Sequence, residues 1–136
     1  MMNETANPNN KGIMGTRSYI AYEMKNGMYT GCYCHWDGYP QGVGLTLLKN
    51  YNDENIRDLV DLQGFSSLGE TVAETKSTAY HEIKEVCETR GELYSRSTEH
   101  YGCEYIYVLL KNGDWVFWDV DQEMEKNLKE VLDEKI

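Results

Sequence analysis

The stretch GCYCHWDGYPQGVG, residues 31–44, holds the densest group of chemically capable side chains in the chain. Two cysteines and His35 are residue types that ligate metals, and His35 with Asp37 could exchange protons with a substrate. Trp36 and Tyr39 offer flat rings on which a base or another ring could stack. A metal centre, a catalytic centre and a ligand pocket are therefore the three kinds of site to weigh.

The spacing of the cysteines disfavours a metal centre. Structural zinc sites favour Cys-x₂₋₄-Cys pairs, whereas a single residue separates Cys32 from Cys34. In a strand, this spacing directs both thiols to one face and His35 to the other. The remaining ligand-type residues contain no second close pair: Cys87, Cys103, His81 and His100. We expect small buried thiols, with no metal and no cofactor.

The same stretch gives little support for nucleophilic catalysis. Cys34 and His35 are adjacent, so their side chains diverge in a strand and cannot pair as thiolate and imidazolium. The chain contains neither a GxSxG elbow nor a P-loop. We expect no catalytic residues, while a small hydrolase that uses His35 and Asp37 as acid and base is kept as an alternative.

More features of this stretch support a ligand pocket than a metal centre or a catalytic centre. In DGYPQGVG the chain passes from a strand into a helix, where unpaired backbone N–H groups favour an anion. Aromatic side chains would stack on the ligand, arginines would hold its anionic groups, and His35 and Asp37 would hydrogen-bond its ring or ribose. The predicted ligand-binding residues are Arg17, Tyr19, His35, Trp36, Asp37, Tyr39, Arg90 and Glu92. The alternative is that Trp36 and Tyr39 pack beneath the helix and the glycines only permit a turn.

Two β-hairpins must position these side chains. The segments YIAYEMKNGMYTGCYC (19–34) and YIYVLLKNGDWVFWDV (105–120) align without a gap and carry Lys-Asn-Gly at the same offset. Asn-Gly between alternating apolar residues predicts a two-residue type I′ turn. We therefore predict hairpins over about 17–36 and 104–120, with residue 22 opposite residue 31 in the first.

A helical pattern follows each hairpin, over residues 39–51 and residues 121–136. A short helix between the two units ends near Gly64. Residues 72–90 are either helix or loop, and TRGELYSR (89–96) is interpreted as a charged turn. The predicted fold class is therefore α+β, with two ββα units that form a mostly antiparallel sheet.

In this predicted fold the helices pack on one face of the sheet, and residues 13–136 form a single domain after a disordered leader over residues 1–12. The opposite face of the sheet carries many aromatic side chains and is too apolar to be left in water. We expect a homo-oligomer that covers this face.

The charge and hydropathy of the chain argue against some classes of binding partner. The chain of 136 residues has 13 basic and 23 acidic residues, a net charge of −10, which argues against direct nucleic-acid binding. A small anionic ligand needs only one or two arginines, and an acidic surface also suits docking on a basic partner. No apolar run reaches the roughly 20 residues that cross a bilayer, and the first residues lack a hydrophobic signal core. We expect no membrane association and a cytoplasmic location.

Two motifs resemble a known family. The run GTRSYI and the run YCHWDGYPQGVGLTLLKNY, followed by a later RGE, are similar to a family of small, mostly uncharacterised proteins of tailed phages and prophages. In place of the family's more charged Arg-Asp-Arg-Gly-Glu run, this chain has Glu-Thr-Arg-Gly-Glu at residues 88–92. The resemblance implies a phage setting and a life in the cytoplasm of an infected bacterium.

The same resemblance implies a counter-defence role, because small accessory phage proteins often oppose host defence. The expected function is a non-enzymatic protein that sequesters a small nucleotide-like signal. The alternative is an acidic protein–protein inhibitor that blocks a host defence protein or a nucleic-acid enzyme.

Overall fold

A computed structural model of the chain describes residues 15–80 and 85–133. The predicted leader over residues 1–12 lies outside the described residues. The same is true of residues 81–84, within the predicted helix or loop, and of residues 134–136, at the end of the predicted terminal helix.

The strands of the described residues form one sheet. They are β1 (Ser18–Glu23), β2 (Tyr29–Cys34), β3 (Glu85–Cys87), β4 (Tyr105–Leu109), β5 (Trp115–Asp119) and β6 (Met124–Asn127). The order across the sheet is β3-β2-β1-β4-β5-β6. The central strands β1 and β4 run parallel, and every other neighbouring pair is antiparallel. The predicted α+β class with a mostly antiparallel sheet is confirmed.

Helices cover both faces of this sheet. They are α1 (Leu45–Asn50), α2 (Ile56–Val60), α3 (Val72–Lys76), α4 (Arg90–Tyr101) and α5 (Leu128–Asp133), and a π-helical turn over Pro40–Gly44 leads into α1. Leu47, Leu59 and Leu128 bring α1, α2 and α5 onto one face. Leu93 and Tyr94 bring α4 onto the other. Within the described residues, no helix has both the length and the apolar character needed to cross a bilayer.

The prediction that helices pack on one face is therefore wrong. The reason is α4, which covers the sheet face opposite α1, α2 and α5. The side chains expected on the uncovered face are divided between the two covered faces, with Tyr19 beneath α4 and Tyr107 beneath α1, α2 and α5. The expectation of a homo-oligomer rested on that uncovered face, so it loses this support.

Both hairpins turn through three residues, 25–27 and 111–113, and not through the predicted two. In the first, Gly27 N–H donates to Met24 O at 2.9 Å, and Met24 N–H donates to Met28 O at 2.7 Å. Only Gly27 has a positive φ, 86°, so the loop is a type I turn closed by a left-handed glycine. Tyr22 lies opposite Thr30 and not residue 31. This shift moves every side chain of β2 to the other face.

The predicted helix over residues 121–136 begins later, at Leu128. Gln122 N–H donates to Asp119 Oδ1 at 3.2 Å, and Glu123 has a left-handed φ of 52°, so the chain reverses after β5. The next four residues pair with β5 as β6 because the sheet edge offers backbone partners. Asn127 Oδ1 then accepts from Glu130 N–H at 3.0 Å and caps α5.

Residues 89–96 start a helix, so their interpretation as a charged turn is wrong. Thr89 Oγ1 accepts from Glu92 N–H at 3.1 Å, and Glu92 Oε1 accepts from Glu88 N–H at 2.7 Å. This Thr-x-x-Glu pattern is an N-terminal helix signal. The helix α4 that begins there extends over 12 residues.

Candidate functional site

The candidate site lies where β2 ends and β1 begins, and two hydrogen bonds made by the backbone of one residue, Gly38, build it. Gly38 N–H donates to Thr16 O at 2.9 Å, and Tyr107 Oη donates to Gly38 O at 2.6 Å in the core. A Cβ on Gly38 would lie 2.7 Å from Thr16 O and 3.1 Å from the carbonyl carbon of Arg17. Glycine therefore allows the GTRS and YCHWDGY motifs to meet.

The turn from Asp37 to Gly44 uses its own backbone donors. Val43 N–H donates to Asp37 O at 2.8 Å, and Gly42 N–H donates to Tyr39 O at 2.9 Å. Gly44 N–H makes a longer bond to Tyr39 O, at 3.5 Å. These three N–H groups are satisfied inside the turn, so they are not free to hold the anion predicted from the sequence.

Trp36 and His35 extend from β2 onto the surface. The main-chain N–H groups of His35 and Trp36 donate to Phe65 O at 3.2 Å and to Ser66 O at 2.9 Å, which fixes both residues beside a second extended segment. The two rings meet edge to face with centroids 4.5 Å apart. Trp36 lies against Gly15 and is 38 % exposed. Trp36 is therefore an accessible ring and is not packed beneath the helix.

The imidazole of His35 is oriented by Tyr33. The Tyr33 hydroxyl and His35 Nδ1 are 2.7 Å apart. Burial raises the pKa of Tyr33 to about 12, so the phenol keeps its proton at neutral pH. When this phenol donates to Nδ1, the ring proton of neutral His35 lies on Nε2, which then acts as a donor.

A carboxylate, a phenol and a guanidinium complete the cluster. Asp37 is exposed and adopts a left-handed φ of 59°. Its Oδ1 accepts from the Tyr39 hydroxyl at 3.4 Å. Arg17 is exposed on the segment bonded to Gly38, and its guanidinium donates to Tyr101 O at 3.5 Å. The cluster thus offers a ring, hydrogen-bonding groups of both kinds and one cation.

Three predicted ligand residues lie elsewhere. Tyr19 is 4 % exposed, donates to Gly31 O at 3.1 Å and stacks on Tyr101, so it belongs to the core beneath α4. Arg90 begins α4, whereas Arg17 contacts its last residue. Because a helix rises 1.5 Å per residue, about 16 Å of helix separates the two arginines. Glu92 pairs with Arg96 at 3.2 Å and does not join the cluster.

Two residues of this surface were missed in the sequence. The segment that contains Tyr80 lies beside the one that contains Ser66, because Tyr80 N–H donates to Gly64 O at 2.8 Å. The Tyr80 hydroxyl bonds to Ser66 Oγ at 2.5 Å, and Tyr80 is 40 % exposed. Trp36 and Tyr80 thus place two exposed rings on either side of residue 66. No periodic pattern in residues 64–80 signals this approach.

The four thiols are buried. Cys32 and Cys34 share one face of β2, as the spacing predicted, and lie in the core with α1 and α2. Burial raises the pKa of Cys34 to about 12 and also raises that of Cys32, so both thiols are protonated at neutral pH. Among the described residues, no three His, Cys, Asp or Glu side chains are grouped so that they could hold a metal ion.

Compared with protein-family models, with curated proteins and with solved structures, the chain matches none of them. Its function must therefore be inferred from the chemistry of the side chains themselves.

Proposed function

We propose that this chain is a non-enzymatic counter-defence protein of phage type that sequesters a small nucleotide-like signal in the cytoplasm of a host bacterium. The phage setting is supported by the resemblance carried by the GTRS and YCHWDGY motifs. The binding role is supported by the surface that these two motifs build together.

One observation carries the proposal. Trp36 presents an exposed indole beside His35, and the neighbouring turn presents Asp37 and Tyr39. The indole would stack on a base, while the carboxylate would accept from ribose hydroxyls and the imidazole would bond a ring heteroatom. Arg17 would hold a phosphate, because a guanidinium matches two phosphate oxygens at once.

The left-handed backbone of Asp37 adds support. A non-glycine residue at positive φ costs about 1–2 kcal/mol, although aspartate tolerates it better than most residues. Such conformations are enriched at ligand-binding positions, where they place a side chain that takes part in binding. Here the conformation directs the chain into the turn that places Tyr39 beside Asp37.

A thermal-shift screen tests this proposal, with cyclic AMP, cyclic di-AMP and ADP-ribose as the probes. We expect at least one probe to raise the Tm by several degrees, because a ligand at about a hundred times its Kd stabilises by about 2.7 kcal/mol. Trp36→Ala and Arg17→Ala should each abolish the rise. Arg57→Ala is the matched control, since Arg57 is exposed near the hairpin tips, away from this cluster.

Two results would contradict the proposal. One is an unchanged Tm with every probe, and the other is a rise that persists in both Trp36→Ala and Arg17→Ala. Mass spectrometry of the recovered probe supplies a further check. An altered probe would identify a hydrolase that uses His35 and Asp37, and a retained probe is what sequestration predicts.

A further inference from the structure

A second surface lies in a groove between α4 and the β5–β6 edge. Its volume is about 720 Å³. Gly91, Ser95 and Thr98 line it from α4, and Val120 lines it after β5. A groove of this size is larger than one side chain needs and suits a segment of several residues.

The groove has an aromatic wall. Tyr94 and Trp118 stack with centroids 5.0 Å apart and an angle of 14° between their planes. The Tyr94 hydroxyl donates to Glu125 Oε1 at 2.5 Å, which holds the phenol and the carboxylate together. Arg90 lies 3.6 Å from the same carboxylate oxygen. The groove thus already holds one guanidinium beside a carboxylate and an aromatic ring.

Its remaining charge is acidic. Within the part of the chain that the structure describes, three carboxylates line the groove, from Glu99, Glu123 and Glu125, against the single cation of Arg90. Glu99 and Glu123 are exposed. Guanidinium and ammonium groups are attracted both by carboxylates and by the faces of aromatic rings. The lining therefore complements basic side chains.

The strand beside the groove offers a backbone edge. β6 is the last strand of the sheet among the described residues, so no other described strand pairs with its outer edge. Glu125 of β6 lies opposite Trp118 of β5 and faces the groove with it. A strand added next to β6 would alternate its side chains in the same way and would direct every second one over the groove.

We propose that this groove and the outer edge of β6 bind an extended basic segment of a partner protein. The segment pairs its backbone with β6 and inserts arginine or lysine side chains between α4 and Glu125. This surface is independent of the Trp36 cluster, so each can be tested without the other.

The test uses a fluorescein-labelled hexapeptide of alternating arginine and threonine as the probe, with fluorescence anisotropy as the measurement. Binding is measured at about 150 mM salt, where the Debye length is about 8 Å and distant surface charges are screened. We expect Glu99→Gln/Glu123→Gln to weaken binding at least about tenfold. Asp53→Asn/Glu54→Gln removes the same charge near the hairpin tips and should change the Kd less than about twofold.

Hydrogen exchange adds a measurement, the exchange rate of the β6 amide protons, that nonspecific charge attraction would not change. Amide protons of β6 should exchange more slowly when the peptide is bound, because the added strand takes up outward-facing backbone groups. Equal weakening in both double variants, absence of binding, or unchanged exchange in β6 would each overturn the proposal.

Discussion

At the scale of single residues, the buried thiol of Cys34 makes stability depend on alkaline pH. Burial raises its pKa from 9.0 to about 12. Below pH 9 the thiol is protonated in both states and its contribution to stability is complete. Between pH 9 and 12 only the unfolded chain loses the proton, so each pH unit costs up to about 1.4 kcal/mol of the free energy of unfolding.

Urea unfolding as a function of pH checks this prediction. We expect the free energy of unfolding to fall less steeply above pH 9 in Cys34→Ala than in the parent chain, because one ionising thiol is gone. Equal slopes in the two proteins would contradict it.

Residue types alone located much of the candidate site. Trp36, His35, Asp37 and Tyr39 lie within five positions of one another, so a strand end and a turn hold them together whatever the rest of the fold does. Arg17 joins them because β1 and β2 pair along their whole length. Tyr19 was predicted to bind the ligand but is buried. Its burial depends on α4, whose position no local sequence pattern reveals.

At the scale of elements, the turn after Trp36 depends on the close approach of Gly38 to residues 16–18. A Cβ at Gly38 would lie 2.8 Å from Ser18 Cβ and 2.7 Å from Thr16 O, so the backbone has to shift. We expect Gly38→Ala to lower the free energy of unfolding by about 2–3 kcal/mol, as overpacking does. Chemical denaturation measures this change.

Gly91→Ala is the matched control for that substitution. Gly91 lies in α4, where a Cβ would meet Thr89 Oγ1 at an ordinary contact distance of 3.9 Å. Alanine there should raise the free energy of unfolding by about 0.5–1 kcal/mol through helix propensity. If both substitutions shift stability alike, the close approach at Gly38 is not what holds the turn.

The repeated hairpins present equivalent residues to opposite faces of the sheet. The repeat aligns Ile20 with Ile106, but in the parallel pair of β1 and β4 Ile20 lies beside Tyr107. This offset of one residue reverses the faces, so Ile20 packs under α1, α2 and α5 while Ile106 packs under α4. The existence of both hairpins was predictable from local turn chemistry. The register between strands more than 80 residues apart was not, because it depends on tertiary packing.

At the scale of the whole molecule, the strong negative charge is compatible with both proposed surfaces. In the two proposals, the Trp36 cluster would hold an anionic ligand through Arg17, and the acidic groove would attract basic side chains. A net charge of −10 should slow the encounter with an anionic nucleotide and speed the encounter with a basic segment. Added salt should therefore raise the on-rate of the first ligand and lower that of the second.

The three tryptophans report on three different places. Trp36 lies in the candidate site, and Trp118 lines the groove beside α4. Trp115 is buried in the core, where its indole N–H donates to Tyr51 O at 3.1 Å. A ligand that enters one of these places should disturb its own indole and leave the other two unchanged.

The most direct test is therefore the position of the three indole N–H resonances in a ¹⁵N–¹H spectrum during titration with cyclic AMP, cyclic di-AMP and ADP-ribose. We predict that at least one of these nucleotides moves the Trp36 resonance in a saturable way while Trp115 and Trp118 stay in place. A Trp36 resonance that does not move with any of the three, or movement confined to Trp118, would contradict nucleotide capture at this site.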